Sequence, residues 1–259
     1  MHRRDACATK NFSRMAQVPG KTLIITGASL GIGRALALEL AGAGVNLVLN
    51  ARHGPPLAEV AGRCEASGVR VRQIAGNAAR AEVISEMVGR ARELGDFYGF
   101  IHVAGVLRPG PFLWELAPEH FQEILDSHLI AAYQLIRLAV PELLTQGEGL
   151  AVFFGSGAAV SNLPGIGGYS VAKAAEEHLA RQLASEAPRI ISFIFRPDVT
   201  DTCMQSQARE ARGGAAENLH RIFRGYPERG ELSTPEDEAK ALMRILLDHP
   251  HRYHGRIAP

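Results

Sequence analysis

The sequence predicts an α/β fold: one doubly wound domain built around a parallel sheet of about seven strands. Two observations predict it. Short apolar, β-rich runs alternate with helical patterns from about residue 20 to the C-terminus, which is the pattern of a parallel sheet covered by helices on both faces. A glycine-rich turn, Gly27-Ala28-Ser29-Leu30-Gly31-Ile32-Gly33, joins the first strand run to the first helical run. The chain has 259 residues, 46% hydrophobic and 21% charged, which suits one compact domain, although length alone also allows two.

The elements follow in order. Thr22–Thr26 (Thr-Leu-Ile-Ile-Thr) is the first apolar run, and Gly33–Ala43 the first helical pattern. Next come a strand at Asn46–Ala51, a helix at Pro56–Ser67, a strand at Arg70–Ala75 and a helix at Ala81–Leu94. The strand Gly99–Val103 leads to a long helix, Pro118–Leu144. Strand Leu150–Gly155, helix Tyr169–Ser185 and strand Ile190–Phe195 continue the alternation. Helix Pro235–Leu247 and a short strand near Arg256–Ala258 end it. Met204 to Leu232 breaks the pattern; it is polar and rich in Arg, Glu and Gly. It reads as either a mobile lid over a site or a solvated helix pair. No internal repeat or interdomain linker is visible.

Composition excludes several classes. A net charge of +1, with scattered Arg and Lys, gives no reason to expect nucleic acid as partner. No apolar run approaches the roughly 18 residues of a membrane helix. Cys7, Cys64 and Cys203 are odd in number and widely spaced. They fit neither a disulfide framework nor a zinc site and point to a reducing, cytoplasmic setting. His249-Pro250-His251-Arg252-Tyr253-His254 lacks a carboxylate or thiolate partner and reads as a polar loop rather than a metal site. Residues 1–20 carry Arg3, Arg4, Lys10 and Arg14 without an apolar stretch. They read as a disordered extension, with Met15 an alternative start, and the folded domain as 21–259.

Two motifs carry chemistry. Strand, glycine-rich turn and helix form the context of a dinucleotide site. Gly27 permits the tight turn, Gly31 lets the backbone approach a pyrophosphate, and Gly33 lets helix and strand pack closely. The helix N-terminus offers unpaired N–H groups to the phosphates. The second motif is Tyr169-Ser170-Val171-Ala172-Lys173, with Ser156 thirteen residues upstream of the tyrosine. Residues at i and i+4 share one helix face, so phenol and ammonium point into the same space. A free phenol ionises only near pH 10 or so, and a neighbouring positive charge favours its anion.

Jointly, these motifs resemble those of the short-chain dehydrogenase/reductases, a family of Rossmann-type oxidoreductases. Thr26 to Gly33 matches their Thr-Gly-x-x-x-Gly-x-Gly string, and Ser156, Tyr169 and Lys173 match their catalytic Ser, Tyr and Lys in order and spacing. The resemblance implies hydride transfer between a nicotinamide and a carbonyl or alcohol carbon. Tyr169 would be the general acid, Ser156 would orient the carbonyl oxygen, and Lys173 would hold the nicotinamide ribose. It implies cofactor contacts from Gly27, Ser29, Leu30, Gly31, Ile32 and Gly33. Others are expected from Ala104 and Gly105 after the fourth strand, and from Pro197, Val199 and Thr202 after the sixth. It also implies a homodimer or homotetramer formed through helices Pro118–Leu144 and Tyr169–Ser185.

Several positions depart from the family pattern. Ala51 stands where an NAD enzyme usually has an acidic residue, and Arg52 follows. A guanidinium suits the 2′-phosphate of NADP(H), although Arg52 also reads as a solvated loop residue. Asn77-Ala78 replaces Asp-Val, and the Asn77 amide can accept the adenine hydrogen bond. His102 replaces the first Asn of Asn-Asn-Ala-Gly and reads as structural. Asp198 replaces a glycine beside the nicotinamide. His128 replaces the Asn that anchors a water beside the lysine; it either relays protons in its place or packs as a core histidine.

Ser156-Gly157-Ala158-Ala159 and Asp201-Thr202-Cys203-Met204-Gln205 are similar to the sepiapterin and benzil reductase branch, which implies a diketone-like carbonyl substrate. Leu107, Trp114, Leu163, Ile166 and Met204 are the pocket candidates by their placement beside motif loops, with Trp114 equally suited to the core. The resulting expectation is an NADP(H)-dependent carbonyl reductase. Its rivals are a dinucleotide-binding sensor with little catalysis and an NAD-dependent alcohol dehydrogenase.

Overall fold

The computed structural model describes residues 18–259. Seven parallel strands form one sheet in the order β3-β2-β1-β4-β5-β6-β7. They are β1 (Thr22–Thr26), β2 (Asn46–Ala51), β3 (Val71–Ala75), β4 (Phe97–His102), β5 (Gly149–Phe154), β6 (Ile190–Phe195) and β7 (Ile257–Ala258). Helices α1 (Gly31–Gly42), α2 (Gly54–Glu65), α3 (Ala81–Leu94), α4 (Pro118–Leu125), α5 (Ala131–Gln146), α6 (Gly167–Glu186) and α9 (Pro235–Asp248) connect them. Two further helices, α7 (Cys203–Arg209) and α8 (Ala216–Glu228), follow β6.

Both faces of the sheet are covered, so every residue of β1, β2, β4, β5 and β6 is buried. That explains why these strands read as continuous apolar runs rather than as an alternation. Side chains still point to opposite faces in turn. Leu23, Ile25, Leu47, Leu49, Val152 and Phe193 pack with Leu36, Leu40, Leu57 and Leu242 on one side. Ile24, Val48, Phe100, Phe153 and Ile194 pack with Ile84, Met87, Leu135 and Leu183 on the other. Phe100 and Phe153 meet edge to face on adjacent strands, with ring centroids 5.6 Å apart.

Two boundaries differ from the sequence expectation in ways that matter, and a third segment takes one of its two expected forms. Val18 is already buried in the core, and the Lys21 N–H donates to its carbonyl, so the folded body starts before residue 21. The rest of the expected N-terminal extension, Cys7 and Met15 included, lies outside the described residues. The single helix expected at Pro118–Leu144 is interrupted by a π-helical turn at Asp126–Ile130, where an extra residue widens the coil and turns His128 inward; such turns are frequent at functional sites. The segment Met204–Leu232 is a helix pair, α7 and α8, tied down where Thr200 pairs with Ser233.

Phe153 is fully buried, and its truncation leaves a cavity beside Phe100 on the sheet face that Leu135 and Leu183 cover. Phe153→Ala is expected to cost about 3–5 kcal/mol, measured by urea unfolding. A loss under about 1 kcal/mol would mean the sheet does not pack as described.

Candidate active site

The chain runs outward from β1 to β3 on one side of the sheet and from β4 to β7 on the other. Loops leaving the carboxyl ends of β1 and β4 therefore part, and ligands of open α/β sheets bind in the crevice so formed. A cleft of about 810 Å³ opens there. Gly27, Ser29, Leu30, Gly31, Ile32 and Gly33 line it, as do Ala104 and Gly105. Gly27 has φ +70°, and a Cβ on it would lie 2.7 Å from the Ala104 nitrogen. A Cβ on Gly33 would lie 2.2 Å from the Gly27 carbonyl oxygen. The backbone thus folds against itself as closely as it can. No side chain caps the N-terminus of α1, and no acid sits in its first turn. Its free N–H groups and dipole suit an anion such as a pyrophosphate.

The far end of the cleft is polar. Arg52 is exposed, and its Nη1 donates to Glu123 Oε1 at 2.8 Å. Arg108 donates to the other oxygen of the same carboxylate from its Nε at 2.8 Å. Burial would raise the Glu123 carboxyl, but the hydrogen bonds from Arg108 and Arg52 hold it below its usual range. Asn77 lines the cleft beside Arg52. Its Oδ1 already accepts the Ala79 N–H at 2.9 Å.

The near end gathers the catalytic candidates. Ser156 follows β5 and caps a short turn, its Oγ accepting the Ala158 N–H at 3.2 Å. This leaves the hydroxyl proton free to donate into the cleft. Tyr169 and Lys173 lie on the first turns of α6, with Lys173 Nζ 6.0 Å from the centre of the Tyr169 ring. The imidazole of His128 meets that ring edge-on at 5.2 Å. Ser156, Tyr169, Lys173 and His128 all line the cleft.

Lys173 is buried, and its Nζ donates to the Phe154 carbonyl at 2.6 Å and to Glu176 Oε2 at 2.8 Å. Burial alone would pull the ammonium's pKa down; the Glu176 carboxylate, followed by Tyr169, more than reverses this and holds it above the usual range. Glu176 is the mirror case. Burial would raise its pKa, and the lysine charge pulls it below the usual carboxylate range. The two form a buried ion pair.

Two buried histidines adjoin it. Thr26 Oγ1 lies 2.7 Å from His102 Nδ1 and accepts the Ala104 N–H. The Thr26 hydroxyl therefore donates to Nδ1, which leaves the ring proton on Nε2. Nε2 then donates to the carbonyl of His128 at 3.1 Å. His102 is thus structural: it ties β1 and β4 to the π-helical turn. Burial pushes its pKa down to about 4. Burial, then the Lys173 charge, also pushes His128 down, so both rings are neutral near pH 7.

The profile of the short chain dehydrogenase family matches residues 21–213. The chain belongs to the short chain dehydrogenase family. An uncharacterized oxidoreductase of Schizosaccharomyces pombe is 29% identical over 93% of this chain and 97% of its own length. Another, from Saccharomyces cerevisiae, is 30% identical over 88% and 90%. Among solved structures, a short-chain dehydrogenase/reductase from Saccharomyces cerevisiae superposes with a TM-score of 0.82 at 26% identity, over 92% of this chain and 95% of that one. L-sorbose reductase from Gluconobacter frateurii, solved with NADPH and L-sorbose, gives 0.81 at 26% identity, over 94% and 96%.

In this short chain dehydrogenase, Pro197, Val199 and Thr202 line the cleft from the loop after β6. Thr202 Cγ2 faces the Gly31 backbone from across it, 3.3 Å from where a Cβ would sit. Asp198 is exposed and also lines the cleft. Leu107, Leu163, Ile166 and Met204 line it as expected. Trp114 does not. It is 82% exposed and stacks on Phe112, with centroids 4.7 Å apart. The reason lies upstream, where backbone hydrogen bonds clamp Gly110 to Gly165 and Ala215; beyond that clamp the loop carries Trp114 outward. The histidine string near the C-terminus is a turn in which His254 Nδ1 accepts the Ser192 N–H. Among the described residues no group of three or more His, Cys, Asp or Glu could hold a metal.

Sequence reasoning missed four residues. Phe223 and Tyr226 of α8 line the cleft. Glu176 and Glu177, on α6, are buried at 0% and 2% exposure. Glu177 accepts from Arg196 and Arg181 and, at 3.4 Å, from the Ser156 backbone N–H, so it braces the serine loop. Adjacent acids on a helix normally mark a solvated face. The available signal was spacing: Glu176 is three residues from Lys173 and so lies on its face.

The neutral His102 makes stability depend on pH with a definite sign. The unfolded histidine binds a proton near pH 6.5 or so, the folded one only near 4. Its contribution is complete above the unfolded value and is lost as pH falls through the window towards 4. That loss is about 3 kcal/mol. His102→Asn should flatten the slope of unfolding free energy between about pH 6.5 and 4. Parallel slopes for the two proteins would contradict a neutral buried imidazole.

Proposed function

We propose that this short chain dehydrogenase is an NADP(H)-dependent carbonyl reductase acting on ketone or diketone-like substrates. The observation that carries the reading is the convergence of Ser156, Tyr169 and Lys173 on a cleft whose other end is a glycine turn at a helix N-terminus. A bound nicotinamide dinucleotide supplies the hydride. Tyr169 donates its phenolic proton to the carbonyl oxygen as the hydride reaches the carbon, so ketone becomes alcohol with atoms and charge in balance. The Ser156 hydroxyl donates to the same oxygen and stabilises the charge that develops on it. Lys173 Nζ, with two bonds to Phe154 and Glu176, keeps one N–H for the ribose or the phenolate. Leu107, Leu163, Ile166 and Met204 offer an apolar wall that suits an aromatic or branched ketone.

Arg52 supports the choice of NADP(H). It stands at the cleft's rim after β2, and a guanidinium pairs well with a 2′-phosphate. It would trade its bond to Glu123 for that phosphate. In this proposal Asn77, which lines the cleft beside Arg52, would meet the adenine. The same proposal includes a homodimer or homotetramer formed along α5 and α6, where Tyr133 and Val171 are exposed, and a cytoplasmic setting.

Tyr169→Phe is expected to lower NADPH-dependent reduction of an aromatic diketone at least a thousandfold while leaving NADPH affinity within about twofold. Near-normal turnover would rule out the phenol as the acid. Tight NADPH binding by a wild-type protein that reduces no carbonyl in a panel of diketones and quinones would favour the sensor.

Arg52→Ala should raise KM for NADPH about tenfold or more, with KM for NADH little changed. Equal effects on both cofactors would remove the 2′-phosphate contact from the proposal.

A further inference from the structure

Glu176 has no counterpart in the chemistry described above, yet it is the most completely buried acid beside the site. It is 0% exposed and sits between Lys173 and His128. Its Oε2 accepts from Lys173 Nζ at 2.8 Å and lies 3.5 Å from His128 Nδ1. Two buried polar atoms here lack a hydrogen-bond partner, His128 Nδ1 and Glu176 Oε1. Such atoms are costly, and these two belong to side chains that face each other.

The imidazole's other nitrogen narrows the choice. His128 Nε2 lies 3.1 Å from the Val106 N–H and 3.0 Å from the Val106 carbonyl. If Nε2 held the proton, it would donate to the carbonyl, and the bare Nδ1 lone pair would face a carboxylate. If Nδ1 holds the proton, it points at Glu176, and Nε2 accepts the Val106 N–H. The first arrangement sets a bare nitrogen against a full negative charge and an Nε2–H against the Val106 N–H; the second sets Nε2 only against the neutral Val106 carbonyl, and in a dry site the charged clash weighs more.

We propose that Glu176 is a further positioning residue of this site: its carboxylate, shared by the Lys173 ammonium and the Nδ1–H of His128, fixes the imidazole tautomer and neutralises the lysine's charge beside Tyr169. The charged and titratable groups around it fit that role. Lys173 and Tyr169 face it from α6, His128 from the π-helical turn and His102 from β4. Glu177 is engaged with Arg181 and Arg196. With both histidines neutral, Lys173 and Glu176 sum to zero. Tyr169 then sits beside an ion pair rather than a bare cation; removing the carboxylate would leave an uncompensated ammonium beside the phenol that reduction needs protonated.

The inference rests on the carbonyl-reductase reading only in its kinetic arm. The other arm is ¹⁵N NMR of histidine-labelled resting protein. Wild type should show His128 as the Nδ1–H tautomer, and Glu176→Gln should shift it towards Nε2–H. A wild-type Nε2–H signal, or a variant with no change, overturns the tautomer assignment. In kinetics, Glu176→Gln should move the high-pH fall of reductive kcat down by at least one pH unit. His128→Asn combined with it should add no further displacement, since the two act as one unit. Glu176→Asp, which keeps the charge, should retain the wild-type profile at reduced rate. A Gln profile matching wild type, or an Asp profile displaced like Gln, overturns the charge role. A wild type with no carbonyl turnover would sink the functional reading, while the tautomer measurement would still decide this one.

Discussion

The site depends on one buried ammonium. Lys173 is 4% exposed, and an isolated charge at that depth would cost several kcal/mol or simply lose its proton. Every neighbouring element contributes to keeping it. The end of β5 offers the Phe154 carbonyl, and α6 offers Glu176 one turn on. The strand β5 must be in register for its last carbonyl to reach Nζ, and α6 must be in phase for Tyr169, Lys173 and Glu176 to share a face. Burial of a charge here is therefore a geometric filter as well as an energetic load.

The cofactor end is built by a different constraint, that of backbone on backbone. Gly27 and Gly33 touch with no room for a Cβ, which brings β1, α1 and the loop after β4 together at the switch point. Because side chains are absent, the N–H groups of α1 remain the exposed donors. One end of the cleft is thus polarised by helix backbone and the other by a buried ion pair. The two ends are joined through Thr26, whose hydroxyl accepts the Ala104 N–H beside the glycine turn and donates to His102.

Much of this was legible in the sequence because it is local. The sheet was readable from apolar runs such as Leu23–Ile25 and Leu47–Leu49, whose burial on two faces leaves no other pattern. The glycine turn and the Tyr169/Lys173 pair were readable because each lies within one element. What was not legible is what only three dimensions bring together. Trp114 looked close to the site along the chain, but the Gly110 clamp sends it outward. The π-helical turn at Asp126–Ile130 has no residue signature of its own in a continuous apolar helix pattern. Beyond its spacing from Lys173, Glu176 carries no signal in the sequence of its burial against Lys173 and His128.

The departures at 102 and 128 are best understood together with Glu176. His102 donates to the carbonyl of His128, and so fixes the turn that carries the imidazole. His128 in turn presents Nδ1 to Glu176, and Glu176 holds Lys173. A small amide at 128 would not reach that far, leaving the carboxylate with only the lysine. A leucine at 176 would face the imidazole with no acceptor. Each residue leans on the next in a dry interior, and the weakest link is the 3.5 Å approach of His128 Nδ1 to Glu176. Coupling of this kind predicts strong non-additivity between substitutions at these three positions. The unit that sets the chemistry of this cleft is therefore the chain from Thr26 to Lys173 through two histidines and a glutamate, and the tyrosine stands at its open end.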